Sequence, residues 1–185
     1  DMRLHSAEQS TEAIERNKPY SGDFALPMGS DIIKDYSNGE MVRSKTMGDW
    51  RIHNGVDFGG SAGNDVVAAG DGTVTAVYDD SFWGTVVEIA HGNGMTARYC
   101  GLKCGSCLPE GSEVKKYDKI GSLGHIPVEI SDEDHLHLEV LIDGETVDPL
   151  KALNKVGAAD TDCSLRRYVM AAALCPPGSP RAAKA

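Results

Sequence analysis

Glycine-centred turn signals recur through the middle of this sequence and leave little uninterrupted chain for long helices. They stand at Ser37-Asn38-Gly39, Asn54-Gly55, Asp71-Gly72, Gly92-Asn93-Gly94 and Asp143-Gly144. Between them lie short apolar and β-branched runs, the pattern of an all-β domain. Candidate strands cover residues 65–69, 72–78, 85–90, 95–99, 135–142 and 146–148. Asp71-Gly72 ahead of Thr73-Val74-Thr75-Ala76-Val77 marks a tight turn into a strand. Gly92-Asn93-Gly94 separates two runs at hairpin distance, so the pairings read as antiparallel.

The flanks have a different grammar. Residues 1–22 carry Glu8, Glu12, Glu15 and Arg16 with few apolar residues, and read as a polar lead-in or linker. One domain is expected over 23–154. Residues 155–185 read as a short helix near 164–174, with Ser164 as its N-cap, and a tail. A length of 185 residues suffices for one ordinary core and excludes two large domains. Charge narrows the partners: 18 Lys and Arg against 28 Asp and Glu give a formal net charge of -10, so no nucleic-acid partner is expected. No run approaches the roughly 18 apolar residues of a membrane span, and membrane contact is expected only through an anchor absent from this chain.

Two histidine constellations carry the chemistry. In His53-Asn54-Gly55-Val56-Asp57 an imidazole and a carboxylate stand four residues apart, on a turn leading into a strand rather than on a helix, because of Asn54-Gly55. In His135-Leu136-His137-Leu138-Glu139-Val140 the period of two puts both histidines and Glu139 on one strand face, expected to be wet, and the apolar residues on a core face. Imidazole nitrogen and carboxylate oxygen are good zinc donors, and three of them leave the open position that catalysis needs. His53, Asp57 and one of the paired histidines would make such a set. The other histidine would then stand beside the metal as a proton acceptor.

With these motifs in their order, the chain resembles the lysostaphin-type, LytM-like zinc metallopeptidases that cut peptide bonds in bacterial peptidoglycan. The resemblance runs from about Phe24 to Leu153 through HNGVDFGG, VVAAGDGTVTAV, WGTVVEIAHGNGMTARY, KIGSLG and HLHLEVLIDGETVDPL. It implies a mainly β fold of two packed antiparallel sheets with a groove, the duplicated hybrid motif, and short terminal helices. It also implies that His53, Asp57 and His137 bind Zn2+, that His135 is catalytic, and that the substrate is peptidoglycan stem peptides or cross-bridges outside the cytoplasm.

The sequence departs from that family at one informative point. Active members usually carry a further histidine in a stretch reading tyrosine, any residue, histidine, leucine; here it is Tyr99-Cys100-Gly101-Leu102, and glycine occupies the slot. With KTMGDWRIHNGVDF, this makes the chain similar to the sporulation engulfment branch of endospore formers, whose LytM-like domain docks an envelope partner protein. A zinc-loaded docking module is therefore the alternative to an enzyme, and a wall-binding domain that does not cut is a third reading. Gly101→His is the substitution that would separate the first two. His91 reads as a turn residue of HGNG, His125 as a loop histidine, and Asp132-Glu133-Asp134 as a solvated loop that could raise the His135 pKa. Cys100, Cys104 and Cys107 lack a fourth ligand and read as a local disulfide or packed thiols.

Overall fold

The computed structural model describes residues 24–153. His5, Cys163, Cys175, the lead-in and the expected helix near 164–174 lie outside the described residues. In chain order the strands are β1 (Ile32–Lys34), β2 (Met41–Arg43), β3 (Trp50–Ile52), β4 (Val56–Gly59), β5 (Asp65–Val67) and β6 (Gly72–Asp80). They continue with β7 (Gly84–Gly92), β8 (Met95–Leu102), β9 (Glu113–Val114), β10 (Lys119–Ser122), β11 (His135–Ile142) and β12 (Glu145–Val147). A 3-10 turn, Pro127–Glu129, precedes β11, and a single helical turn α1 (Pro149–Ala152) follows β12. Asp148 caps that turn by accepting from the Leu150 and Lys151 amides, with Pro149 at its first position.

The architecture is mainly β and antiparallel, as expected. Eight strands form the main sheet in the order β1-β4-β11-β8-β7-β6-β9, with β12 paired to the far half of β11; β5 with β10, and β2 with β3, form two smaller sheets. The glycine signals explain the tightest connections. Asn93 and Gly94 both have positive φ, as do Asp143 and Gly144, and this lets two-residue turns follow the twist of β7–β8 and β11–β12.

One core joins the main sheet to β5 and β10. Val56 and Phe58 of β4, Leu136, Leu138 and Val140 of β11, Ile89 of β7 and Tyr99 of β8 pack with Val66, Ile120 and Leu123. Full burial of such side chains contributes about 1.5–3 kcal/mol each. Tyr99 is fully buried, and its hydroxyl accepts from the Ala69 amide, so the aromatic ring enters the core without stranding its polar end. This anchoring fixes the centre of the sheet, β4-β11-β8, on which the histidine motifs sit.

The face of β11 that carries His135, His137 and Glu139 is not wet. Their exposures are 3%, 0% and 7%. The alternation holds, but the second face is covered by Trp83, which stacks on His137, and by Glu129 of the 3-10 turn, which faces His135.

Candidate metal centre

The site is assembled by strand register. His137 of β11 lies directly opposite Asp57 of β4, and His135 opposite Gly59. Cross-strand neighbours bring side chains together at close range, and the His137 Nδ1 to Asp57 Oδ1 distance is 2.7 Å. Asp57 lies within the strand rather than on the turn before it. His53 stands just ahead of β4, and the Asn54-Gly55 bend returns its ring toward Asp57: His53 Nε2 is 3.0 Å from Asp57 Oδ1 and 3.1 Å from His137 Nδ1. Gly55 is obligatory here, because a Cβ would lie 2.6 Å from Leu138 O and 2.7 Å from the His137 ring.

Three donors thus converge on one point, and the set fits a zinc ion. Zn–N and Zn–O bonds of about 2.0–2.1 Å place tetrahedral donors roughly 3.3 Å apart, about 0.2–0.6 Å wider than the 2.7, 3.0 and 3.1 Å separations present. The far side of each ring fits as well. His53 Nδ1 donates to Asp35 O at 2.7 Å, and His137 Nε2 faces Glu139 Oε1 at 3.5 Å. Metal-ligating imidazoles are held by an acceptor behind them; at His53 that contact is a hydrogen bond, and at His137 it is an ion-pair approach by Glu139 that stops short of one. Glu139 is in turn held by Arg98, which donates to its Oε2 at 2.7 Å and to Glu88 at 2.8 Å.

The electrostatics follow from burial and pairing. Burial alone would raise the Asp57 carboxyl, yet hydrogen bonds with His137 and His53 hold it well below the usual carboxylate range. Burial works against a charged His137, but Asp57 and Glu139 outweigh it and push the imidazole up to about 9. Burial likewise opposes charge on His135, which is raised by its contacts with Glu129 and Asp57. The acidic run acts differently from expectation: the Glu133 contribution to His135 is its backbone carbonyl, which accepts from Nδ1 at 2.6 Å. Asp132 pairs instead with Lys45, and Asp134 with His125.

His135 Nε2 lies 3.2 Å from Glu129 Oε2 and 3.8 Å from Asp57 Oδ2, beside the donor set. Trp83 stacks on His137 with ring centroids 4.4 Å apart. Lys34 pairs with Glu129 and reaches to 3.7 Å from Asp57 Oδ2. A cavity of about 130 Å³ is lined by Lys34, His53, Trp83, Glu129 and Glu139, and a larger cleft of about 470 Å³ opens over Lys34 and Asp57. The expected groove is therefore present. Sequence reasoning gave no role to Glu129, Lys34 or Trp83.

The remaining candidates lie elsewhere. His91 is buried, donates from Nδ1 to Asp71 O at 2.8 Å, and packs edge-on against Phe24. His125 is an exposed loop histidine. Cys100, Cys104 and Cys107 are free thiols, and Cys100 is buried in β8. Gly101 is the extra residue of a bulge: Thr85 pairs with Leu102 and Val86 with Cys100. Its φ is +86°, and a Cβ would lie 2.5 Å from Ile126 Cγ1.

The family model described as Peptidase family M23 matches residues 51–149, more than half of the chain. The chain belongs to peptidase family M23. That family is zinc-dependent, which agrees with the chemistry of the donor set. The M23 relatives include both enzymes and a sporulation protein. The DD-carboxypeptidase/endopeptidase Mpg of Neisseria meningitidis is 34% identical over 104 residues, covering 55% of this chain and 23% of that protein. Stage II sporulation protein Q of Bacillus subtilis is 31% identical over 108 residues, covering 57% of this chain and 38% of that protein. This M23 chain therefore spans less than a quarter of the first relative's length. Among solved structures, a zinc-containing peptidase from Vibrio cholerae superposes with a TM-score of 0.60 at 27% identity, over 69% of this chain and 39% of that one. No helix among the described residues is long and apolar enough to cross a membrane.

Proposed function

We propose that this M23 domain, over residues 23–154, is a zinc metalloendopeptidase that hydrolyses peptide bonds in bacterial peptidoglycan stem peptides or cross-bridges, outside the cytoplasm. His53, Asp57 and His137 are its zinc ligands and His135 its catalytic histidine. The observation that supports this reading most is the convergence of His53 Nε2, Asp57 Oδ1 and His137 Nδ1 within 3.1 Å of one another, with His135 at the edge of the set. Bound zinc supplies an activated water, with a pKa near about 7, and a Lewis acid for the scissile carbonyl.

The chain's own residues supply the rest. Glu133 O fixes the His135 ring through Nδ1, so Nε2 faces the donors and is the atom that takes and returns a proton. Asp35 O and Glu139 orient the two ligating rings. Trp83 covers His137 and keeps water from its face, while the cleft over Lys34 and Asp57 accepts an extended peptide.

A second reading is favoured by Gly101: a zinc-loaded but catalytically weak docking module of a sporulation envelope complex, binding a partner protein. Loss of one positioned donor or acid costs about 10²–10⁴ in rate. Incubating the zinc-loaded protein with peptidoglycans of several cross-link types, followed by mass spectrometry for new peptide termini, decides between the two. Termini that vanish in His135→Ala are the expected result. Intact peptides across all walls, with zinc bound, would favour the docking module.

A further inference from the structure

Glu129 joins His53, Asp57 and His137 in one buried group whose donor atoms all lie within 4.8 Å of one another. It reaches the group from a different part of the fold. The other three belong to the β4–β11 centre of the sheet, whereas Glu129 ends the 3-10 turn Pro127–Glu129 and is only 8% exposed. One carboxylate oxygen pairs with Lys34 and the other faces His135 Nε2 at 3.2 Å. Two carboxylates, Asp57 and Glu129, are thus buried side by side, and a third, Glu139, stands behind His137.

Lys34 is the fixed cation between the first two, while Arg98 is spent on Glu139 and Glu88. Buried carboxylates in this number persist when they are paired or when they coordinate a metal. A divalent ion bound by His53, Asp57 and His137 would meet Glu129 as the nearest further anionic donor. Three protein donors leave a zinc site open, and four close it.

We propose that Glu129 is a fourth protein ligand of this metal centre, so that its resting donor set is two imidazoles and two carboxylates and leaves no free position. This rests on the reading of His53, Asp57 and His137 as ligands. Lys34 and His135 are the groups that would receive the Glu129 carboxylate when it leaves the ion. A closed resting site is compatible with a structural metal in a docking module. In a peptidase it means that substrate must first displace Glu129.

Cobalt(II) serves as a coloured stand-in for zinc in the test. The full chain, Glu129→Gln and Glu129→Ala are loaded with one equivalent, checked for wild-type circular dichroism, and titrated with acetohydroxamate. The expected result is a wild-type visible spectrum that does not respond, and variant spectra that shift on adding the hydroxamate. Competition with a chromophoric chelator should show at least about tenfold weaker zinc binding by both variants. A wild-type spectrum that shifts as readily as those of the variants, or equal zinc affinity in all three proteins, overturns the role of Glu129 while leaving the three-donor centre intact. Failure of the wild type to take up either ion overturns the metal centre itself, and Glu129 as its ligand with it.

Discussion

Gly55→Ala should disable the metal centre without altering any donor. A Cβ at this position would lie 2.6 Å from Leu138 O, 2.7 Å from His137 Cε1 and 2.7 Å from His137 Nε2. Ordinary contact begins at 3.4 Å, so the groups must part by about 0.7–0.8 Å, and overpacking on that scale costs about 1–3 kcal/mol. Neither side yields easily. Leu138 is paired with Val56 on one edge and Tyr99 on the other, and the His137 ring is backed by Trp83 at 4.4 Å. A functional group displaced by more than about 0.5 Å leaves its productive geometry. Urea unfolding should therefore show about 1–3 kcal/mol of lost stability, and chelator competition at least about tenfold weaker zinc binding. Gly29→Ala is the control, since nothing lies within 4 Å of a Cβ there. Zinc affinity and stability in Gly55→Ala equal to those of the control would refute the argument that this backbone and the His137 ring compete for the same space.

Glu139→Gln keeps the shape of the group behind His137 but removes its charge, and should weaken zinc binding about 10–100-fold by calorimetry while leaving the fold intact; an unchanged affinity would deny Glu139 its orienting role. His91 gives a pH dependence away from the metal centre. Burial holds its pKa below the ordinary imidazole value of about 6.5, against the hydrogen bond to Asp71 O. The unfolded chain thus binds the proton more readily, so stability is fully present above about pH 6.5 and is lost as pH falls through the lower folded-state value. The slope of unfolding free energy against pH between 5 and 7 should be flatter in His91→Gln than in the wild type, and an equal slope would mean His91 does not titrate on unfolding. Gly101→His should lower stability by about 1–3 kcal/mol, because a non-glycine residue must hold φ near +86° in a bulge; a thermal midpoint at or above wild type would show that the bulge can rearrange.

The candidate donors and their grouping were legible from local spacing and the family resemblance, whereas the strand register that joins them was not. Period two placed His135, His137 and Glu139 on one face of a strand that the structure reproduces at residues 135–142. The contact between His137 and Asp57 depends on the register of β4 against β11, across 80 residues of sequence, and no local pattern reports it. Strands β1, β2 and β3 escaped the strand reading because each is three residues long and leaves exposed or half-exposed side chains, so none shows a buried stripe. Lys34 and Glu129 were missed for related reasons. Lys34 ends one of those short strands, Glu129 ends a 3-10 turn with no periodicity, and 95 residues separate them. The wet face of β11 was misjudged because Trp83 and Glu129 cover it, and neither lies in a neighbouring strand pattern.

Gly101 and Glu129 are connected through Ile126. The space that a side chain at 101 would enter is filled by Ile126 Cγ1 and Cδ1, at 2.5 and 2.9 Å from an added Cβ. Ile126 is also the residue that leads into the 3-10 turn carrying Glu129. The segment is tied down on both sides: the Gly124 amide donates to Gly101 O, and the Val128 amide to Phe82 O, next to the Trp83 that stacks on His137. A chain that placed an imidazole at 101 would have to move Ile126, and with it the turn that presents Glu129 to Asp57 and His135. Gly101 is therefore packed into the same wall that carries Glu129. The same backbone path that leaves no room for a side chain at 101 brings the buried Glu129 carboxylate to the donor set.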